Sequence, residues 1–329
     1  MRVYLDADAD LALIRGRRVA VIGYGNQGRA QALNLRDSGI AVAVGLPEGS
    51  PSRARARADG FEVMTAAEAS EKADVVVILA ADELHARIYA GEVAPNLAEG
   101  SALVFAHGLS IRFGLVEPRP DLDVLLVAPK GPGTALRSEY EQGRGLIALF
   151  AVHQDPSGGA RATALSYAAA IGSGRTGILE TSFAEECEAD LFNEQAVLWG
   201  AIPELIHAGF ETLVDAGFSP EIAYFECLTE VKLIADLIYE RGIAGMREAI
   251  SNTAEFGALK GGTRIVTADT RTEMRRILRE VRGGGFVREL IADAEAGYPR
   301  LKSSRARAAV HPIEEVAARL RALAAGAGG

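Results

Sequence analysis

A chain of 329 residues that is 49% hydrophobic has room for about two domains with a sizeable core. Its formal charge of −9, with no basic stripe interleaved with aromatics, argues against a nucleic-acid partner. Cys187 and Cys227 are too few for a disulfide framework and fit a reducing compartment. The longest apolar runs, such as residues 74–81, are too short to span a bilayer, and Met1 runs straight into Arg2, Asp6, Asp8 and Asp10 with no leader pattern. The expectation is a soluble, acidic, cytoplasmic protein.

In chain order, the first half reads as a nucleotide-binding unit. Arg17-Arg18 leads into Val19-Ala20-Val21-Ile22, a short apolar run typical of a buried parallel strand. Gly23-Tyr24-Gly25-Asn26-Gln27-Gly28 follows, and then a helical stretch from Arg29 to Ser38. In a G-x-G-x-x-G run between strand and helix, the first glycine allows the tight turn. The second lets backbone approach a pyrophosphate, and the third lets helix pack on strand. Residues 23–28 are therefore candidate dinucleotide contacts; the plainer alternative is a tight turn with no ligand. Ile40 to Val44 reads as the second strand, and the loop after it normally chooses the cofactor. Glu48 there suits a ribose 2′-OH and NADH, whereas Ser50, Ser52 and Arg53 suit the 2′-phosphate of NADPH. Two hydroxyls and a cation outweigh one acid, so NADPH is expected, with NADH as the alternative.

Strands at residues 74–80, 102–106, 124–128 and 145–152 alternate with helical segments, and a helix from Ala160 to Ile171 and a strand near 177–179 close this half. That rhythm predicts a doubly wound, Rossmann-like α/β domain over residues 1–181. Two strand ends carry polar residues where such sheets bind ligands: His107-Gly108 and Pro129-Lys130-Gly131-Pro132-Gly133. Lys130 is a candidate for holding an anionic substrate or a cofactor phosphate, and Gly133 for a cofactor contact. A lone histidine such as His107 is more often structural than catalytic.

Residues 182–329 read as an all-α domain. Ser182-Phe183-Ala184-Glu185 has capping-box spacing and starts a helix that runs toward Gly209 with a bend at Pro203. Helix continues from Phe210 to Ala216 and stops at Gly217. Ser219-Pro220 caps the next helix, which ends near Gly242 and is followed by a piece from Ala244 to Ile250. Ser251-Asn252-Thr253-Ala254 is a polar turn that offers hydroxyls and N–H groups to a carboxylate, or else a helix cap. Helices follow at Thr270–Val281, Phe286–Ala296 and Pro312–Leu323, the last with Val316, Leu320 and Leu323 on one face; the tail from Ala324 to Gly329 is expected to be disordered.

Two helical stretches carry paired acids one turn apart: Asp190 with Glu194, and Glu226 with Glu230. Like charges at that spacing repel, and their neighbours are apolar: Leu191, Phe192, Ala196 and Val197 beside one pair, Phe225, Leu228 and Val231 beside the other. Such carboxylates call for a counterion, and hard oxygen ligands in pairs suit Mg²⁺ or Mn²⁺ better than Zn²⁺. The bland reading is two amphipathic helices with acids facing water.

The blocks Val19–Gly28, Val127–Gly133, Asp190–Val197, Tyr224–Asp236 and Ser251–Glu255 make the chain resemble ketol-acid reductoisomerase in its short, class I form. The resemblance covers nearly the whole chain, and the Tyr224-Phe225-Glu226-Cys227 block is more specific than the glycine motif. It implies two Mg²⁺ ions on Asp190, Glu194, Glu226 and Glu230, a substrate-contacting serine at Ser251, and active-site roles for His107 and Lys130. Glu230 is implied in proton removal. Asn26, Arg29, Gln31, Pro47, Ser110, Thr134, Cys187, Asn193 and Trp199 depart from the usual pattern; none removes a ligand.

The implied reaction shifts an alkyl group in 2-acetolactate or 2-aceto-2-hydroxybutyrate. Hydride from the nicotinamide then gives a 2,3-dihydroxy acid on the branched-chain amino-acid route. The resemblance also implies a homodimer or higher homo-oligomer whose metal site is shared between subunits. The residues themselves reach only a nicotinamide- and Mg²⁺-dependent enzyme on a small oxyanion. A paralogue with another 2-hydroxy or 2-keto acid, and a plain hydroxy-acid dehydrogenase, remain as alternatives.

Overall fold

The computed structural model describes residues 2–326. The chain forms two compact units that change over between Ala189 and Asp190. The first is built on a nine-stranded sheet: β1 (Val3–Tyr4), β2 (Arg18–Ile22), β3 (Ala41–Gly45), β4 (Glu62–Met64), β5 (Val75–Ile78), β6 (Ala102–Phe105), β7 (Asp123–Pro129), β8 (Ala148–Gln154) and β9 (Ile178–Glu180). Their spatial order is β1-β9-β8-β7-β6-β5-β2-β3-β4. From β4 to β7 all neighbours are parallel, and the connection order reverses between β2 and β5. That switch point is where open sheets of this kind leave a crevice at the strand ends.

The apolar runs explain the burial. Val19, Val21, Val75, Val77 and Val104 pack on one face of the sheet, and Ala20, Ile22, Val76, Ile78 and Phe105 on the other. Strands covered on both faces have no reason to alternate apolar with polar. β8 runs antiparallel to β7, with a register shift between Val124 and Leu125, and β9 is parallel to β8. β1 and β4 were not expected; with two and three residues they are too short to show a period. The helix after the glycine motif runs Asn26–Asp37, three residues earlier than expected at its start, because the motif itself forms the first turn: the Arg29 N–H donates to Gly25 O at 3.1 Å.

The second unit is helical, as expected. The helix Phe183–Asn193 passes into a five-residue π-helical turn, Glu194–Leu198, and a new helix, Ala201–Asp215, follows. The expected bend at Pro203 is therefore displaced to residues 194–200. Pro203 falls in the first turn of the new helix, where its missing N–H costs nothing. Ser219 stands at the N-cap position of Pro220–Tyr224, without a side-chain capping bond; a second π-turn, Phe225–Thr229, leads into Glu230–Ala249, which breaks at Gly242 (φ 69°) as its sequence suggests. Asn252–Ile265, Ala268–Arg282, Gly285–Glu295, Pro299–Ala309 and Pro312–Gly326 complete the unit. The helix Asn252–Ile265 follows the alternative reading of Ser251 as a helix cap, though its extent was not expected, and Pro299–Ala309 was not anticipated. Helix extends through 324–326, where a loose tail was expected; residues 327–329 of that expectation lie outside the described residues.

Phe210, Ala223, Ile313 and Val316 form the buried centre of this unit, with Leu213, Leu228 and Leu320 against it. Leu323, expected on the same face, stays 65% exposed. No helix among the described residues is long and apolar enough to cross a membrane.

Candidate active site

The glycine motif sits at the switch point. A Cβ on Gly23 would lie 2.6 Å from Ala80 N, and one on Gly28 would lie 2.3 Å from Gly23 O. These two glycines are demanded by the close approach of the β2 turn to the end of β5 and to its own helix. Gly25 is different: nothing lies within 4 Å of its Cβ position, and it is the exposed residue that begins the Asn26–Asp37 helix. Open space over a glycine at a helix N-terminus is a cradle for a pyrophosphate.

The neighbouring candidates divide. Tyr24 is 2% exposed, packs edge-on against Phe61 and donates from its hydroxyl to Asp59 at 2.8 Å, so its side chain belongs to the core. Asn26 and Gln27 reach to the Lys130 loop: Thr134 N–H donates to Asn26 Oδ1 at 2.9 Å, and Gln27 Nε2 donates to Gly131 O at 2.8 Å. Gly133 serves this junction, since a Cβ there would lie 2.2 Å from Asn26 O.

The cofactor-choosing loop does not present the cation expected of it. Arg53 Nη1 donates to Leu46 O at 2.6 Å and to Met64 O at 3.2 Å, and Nη2 to Val63 O at 3.3 Å. The guanidinium ties together the ends of β3 and β4. Ser52 N–H donates to Ser50 Oγ at 3.3 Å, so Ser50 also serves the turn. Glu48 is exposed.

His107, after β6, and Lys130, after β7, converge on a residue that the sequence reading overlooked, Glu186. Its side chain is 1% exposed. One oxygen accepts from Gly108 N–H at 2.8 Å and lies 3.2 Å from His107 Nδ1; the other accepts from Lys130 Nζ at 3.1 Å. Burial opposes the Glu186 charge, but His107, Lys130 and the Gly108 N–H outweigh it and hold the carboxyl below its usual range. Burial likewise opposes charge on His107, yet the Cys187 side chain and Glu186 hold the imidazolium well above its usual range. The group is thus a buried carboxylate between two cations. In the sequence Glu186 lies among Glu185, Cys187 and Glu188 and looks like part of a solvated acidic run; its one signal is a place one turn before Asp190.

The paired carboxylates fall on the irregular turns. Glu194 opens the first π-turn, Glu226 lies in the second, and Glu230 follows it directly. Such turns interrupt a helix where function requires an unusual backbone. Asp190 and Glu194 are half-buried, while Glu226, Glu230 and Ser251 are exposed. Among the described residues, no three of these four acids bring carboxylate oxygens within 4.8 Å of one another. As a donor set they are all oxygen, which fits Mg²⁺. Ser251 Oγ accepts from Ala254 N–H at 3.2 Å, so it caps the Asn252–Ile265 helix.

An open glycine turn at the switch point, with a charged polar group at neighbouring strand ends, defines the class: a nicotinamide-dependent oxidoreductase. Comparison with known proteins narrows this. Residues 13–177 match the acetohydroxy acid isomeroreductase NADPH-binding domain, and residues 183–325 match the ketol-acid reductoisomerase C-terminal domain. An NADH-preferring ketol-acid reductoisomerase from an uncultured archean is 45% identical over 98% of this chain and 99% of its own, with a TM-score of 0.95. A semialdehyde dehydrogenase NAD-binding protein from Cupriavidus necator (18% identity, 81% of this chain and 98% of that one, TM-score 0.61) shares the fold alone. So does 1-pyrroline-5-carboxylate reductase from Streptococcus pyogenes (14%, 81% and 98%, TM-score 0.54). The chain belongs to the ketol-acid reductoisomerase family.

Proposed function

We propose that the chain works as a two-fold homodimer in the cytoplasm, converting 2-acetolactate or 2-aceto-2-hydroxybutyrate to the 2,3-dihydroxy acid of branched-chain amino-acid biosynthesis. The observation that carries the shared site is the unequal exposure of the four acids. Asp190 and Glu194 are half-buried, whereas Glu226 and Glu230 stand exposed beside Phe225, 46% exposed, and Val231, 37% exposed. A partner chain covering that apolar surface would bring its Glu226 and Glu230 to Asp190 and Glu194. Two Mg²⁺ ions bound there would supply Lewis acidity to the substrate oxygens. Glu230 would take the hydroxyl proton, and Ser251 would orient the substrate carboxylate. Lys130 and protonated His107, held by Glu186, would stabilise oxyanion character. The pyrophosphate would lie over Gly25.

For the cofactor we infer NADH rather than NADPH. Arg53 is engaged by three carbonyls, exposed Glu48 suits a ribose 2′-OH, and the 45% identical relative is NADH-preferring. Turnover of 2-acetolactate with Mg²⁺ and each nucleotide, with product identified by mass and NMR, tests both parts; a kcat/KM ratio favouring NADPH overturns the cofactor inference.

The shared site has its own experiment. Asp190→Asn and Glu226→Gln proteins should each be inactive. Unfolded together and refolded at random, about half the dimers are mixed, and in each of those one site collects both lesions and the other none. About a quarter of all sites should then regain activity. No recovery in a mixture shown by native mass spectrometry to contain heterodimers overturns the shared site.

A further inference from the structure

The Asn26–Asp37 helix carries a polar stripe where a core helix would be apolar: Gln27, Gln31 and Asn34, the last two with 0% exposure. Three of its hydrogen bonds run head to tail. The Tyr167 hydroxyl donates to Gln31 Oε1 at 2.8 Å, Gln31 Nε2 to Gln27 Oε1 at 3.1 Å, and Gln27 Nε2 to Gly131 O at 2.8 Å. The chain has only one polarity. Its last acceptor is a carbonyl, which cannot donate, so each amide must face the way it does and the tyrosine must be the donor. Tyr167 is wholly buried, which pushes its hydroxyl up and keeps the proton on it. A core that needed only packing would place leucine at position 31. Each member here is matched instead, and the series ends at the residue after Lys130.

We propose that Tyr167 and Gln31 are positioning residues for Lys130: the one-way hydrogen-bond chain fixes the Gly131 carbonyl and with it the backbone from which the Lys130 ammonium reaches Glu186. Opposite that anchor, Lys130 N–H donates to Ile147 O at 2.8 Å and Thr134 N–H to Asn26 Oδ1 at 2.9 Å, so the loop is held at three points. Gln31 acts on the Gly131 anchor through Gln27 and is itself fully buried. The proposal rests on the activity inferred above only for its kinetic readout.

The test compares Gln31→Leu, Tyr167→Phe and the double variant in the full-length protein. Hydrogen exchange of the peptide 127–136 should quicken by about tenfold in Gln31→Leu and by less in Tyr167→Phe. For 2-acetolactate turnover, kcat should fall by about tenfold, with nicotinamide affinity within about twofold of the parent. The double variant should be no worse than Gln31→Leu, because both lesions cut the same series. Exchange at 127–136 unchanged in the folded variants, or effects that simply add, overturns the proposal. If Gln31→Leu does not fold, Tyr167→Phe, which loses one oxygen, decides by exchange alone. A parent protein inactive on 2-acetolactate refutes the assigned reaction, and the exchange measurement still judges the positioning.

Discussion

The two units differ in how completely a single chain buries them. In the sheet unit the strand side chains are enclosed: Leu103, Val104, Phe105, Val124, Leu125 and Leu126 are all at 0%. In the helical unit Tyr239 is 91% exposed, Leu259 67%, Phe256 63% and Leu233 62%. So many large apolar side chains left in the open call for a covering surface when they lie together. One unit has a finished core and holds its charged group inside itself. The other has a small core and several large apolar side chains outside it, and of its four paired acids Asp190 and Glu194 are half-buried while Glu226 and Glu230 are exposed. The sheet unit is a self-sufficient frame, whereas the helical unit leaves outside it the apolar side chains that the proposed partner chain would cover.

The sharpest test of that contrast is a matched pair of truncations. Leu126→Ala, in the sheet core, should cost about 2–5 kcal/mol of stability by denaturant unfolding. Leu259→Ala should leave one chain's stability nearly unchanged and instead weaken self-association, seen as a concentration-dependent shift toward monomer in sedimentation. Equal destabilisation by both would break the comparison.

Next in size is Glu186→Gln, which strips the charge between His107 and Lys130. Losing one partner of a fully buried pair costs about 3–5 kcal/mol; with Lys130 33% exposed, roughly 2–3 is expected. The pH dependence has a defined sign. Glu186 is depressed, so its contribution holds above its unfolded value near 4.5 and is lost as pH falls through the folded value. His107 is raised, so its contribution is complete below its unfolded value near 6.5 and is lost as pH rises through the folded value. The Tm gap between parent and variant should therefore be widest from above 4.5 to beyond 6.5 and narrow on both sides. A gap that does not vary with pH would mean that the group is not ionised as described.

The smallest effect separates binding from folding within the sheet unit. Gly25→Ala meets no atom, so Tm should hold while nicotinamide affinity falls by about tenfold, or ~1.4 kcal/mol. A fall in Tm instead would show that position 25 is a structural glycine like Gly23 and Gly28.

The sheet unit was the more legible in the sequence because its strands are short apolar runs bounded by turn residues, and the glycine motif fixes the switch point. What escaped there was too short or too polar to signal: β1, β4 and the buried Glu186 inside an acidic run. In the helical unit, caps and breaks such as Ser219, Gly217 and Gly242 could be read directly. The cap reading of Ser251 pointed to the start of Asn252–Ile265, but its body was not legible because Gly257, Gly261 and Gly262 lower its helical propensity. Arg53 illustrates a different limit: composition reveals a cation near a phosphate site but not the three carbonyls that engage it. The irregular turns leave no mark in the sequence, since acids four residues apart fit an ordinary α-helix as well as a π-turn.

The first of those turns has a consequence for phase. Glu194 O receives the N–H groups of both Trp199 and Gly200 at 3.0 Å, and Gln195 Nε2 covers Leu191 O at 2.9 Å. The turn accommodates one more residue than an α-helical turn would. Deleting a single residue between Gln195 and Leu198 would let the segment close into continuous α-helix with the residues beyond it keeping nearly the same direction relative to Asp190, because the wide turn has already absorbed that residue. Gly200 guards the wider form, since a Cβ there would fall 1.9 Å from Gln195 O. In this stretch one codon could be lost with the downstream helix still facing the same way; what would change is the free carbonyl pattern around Glu194 itself.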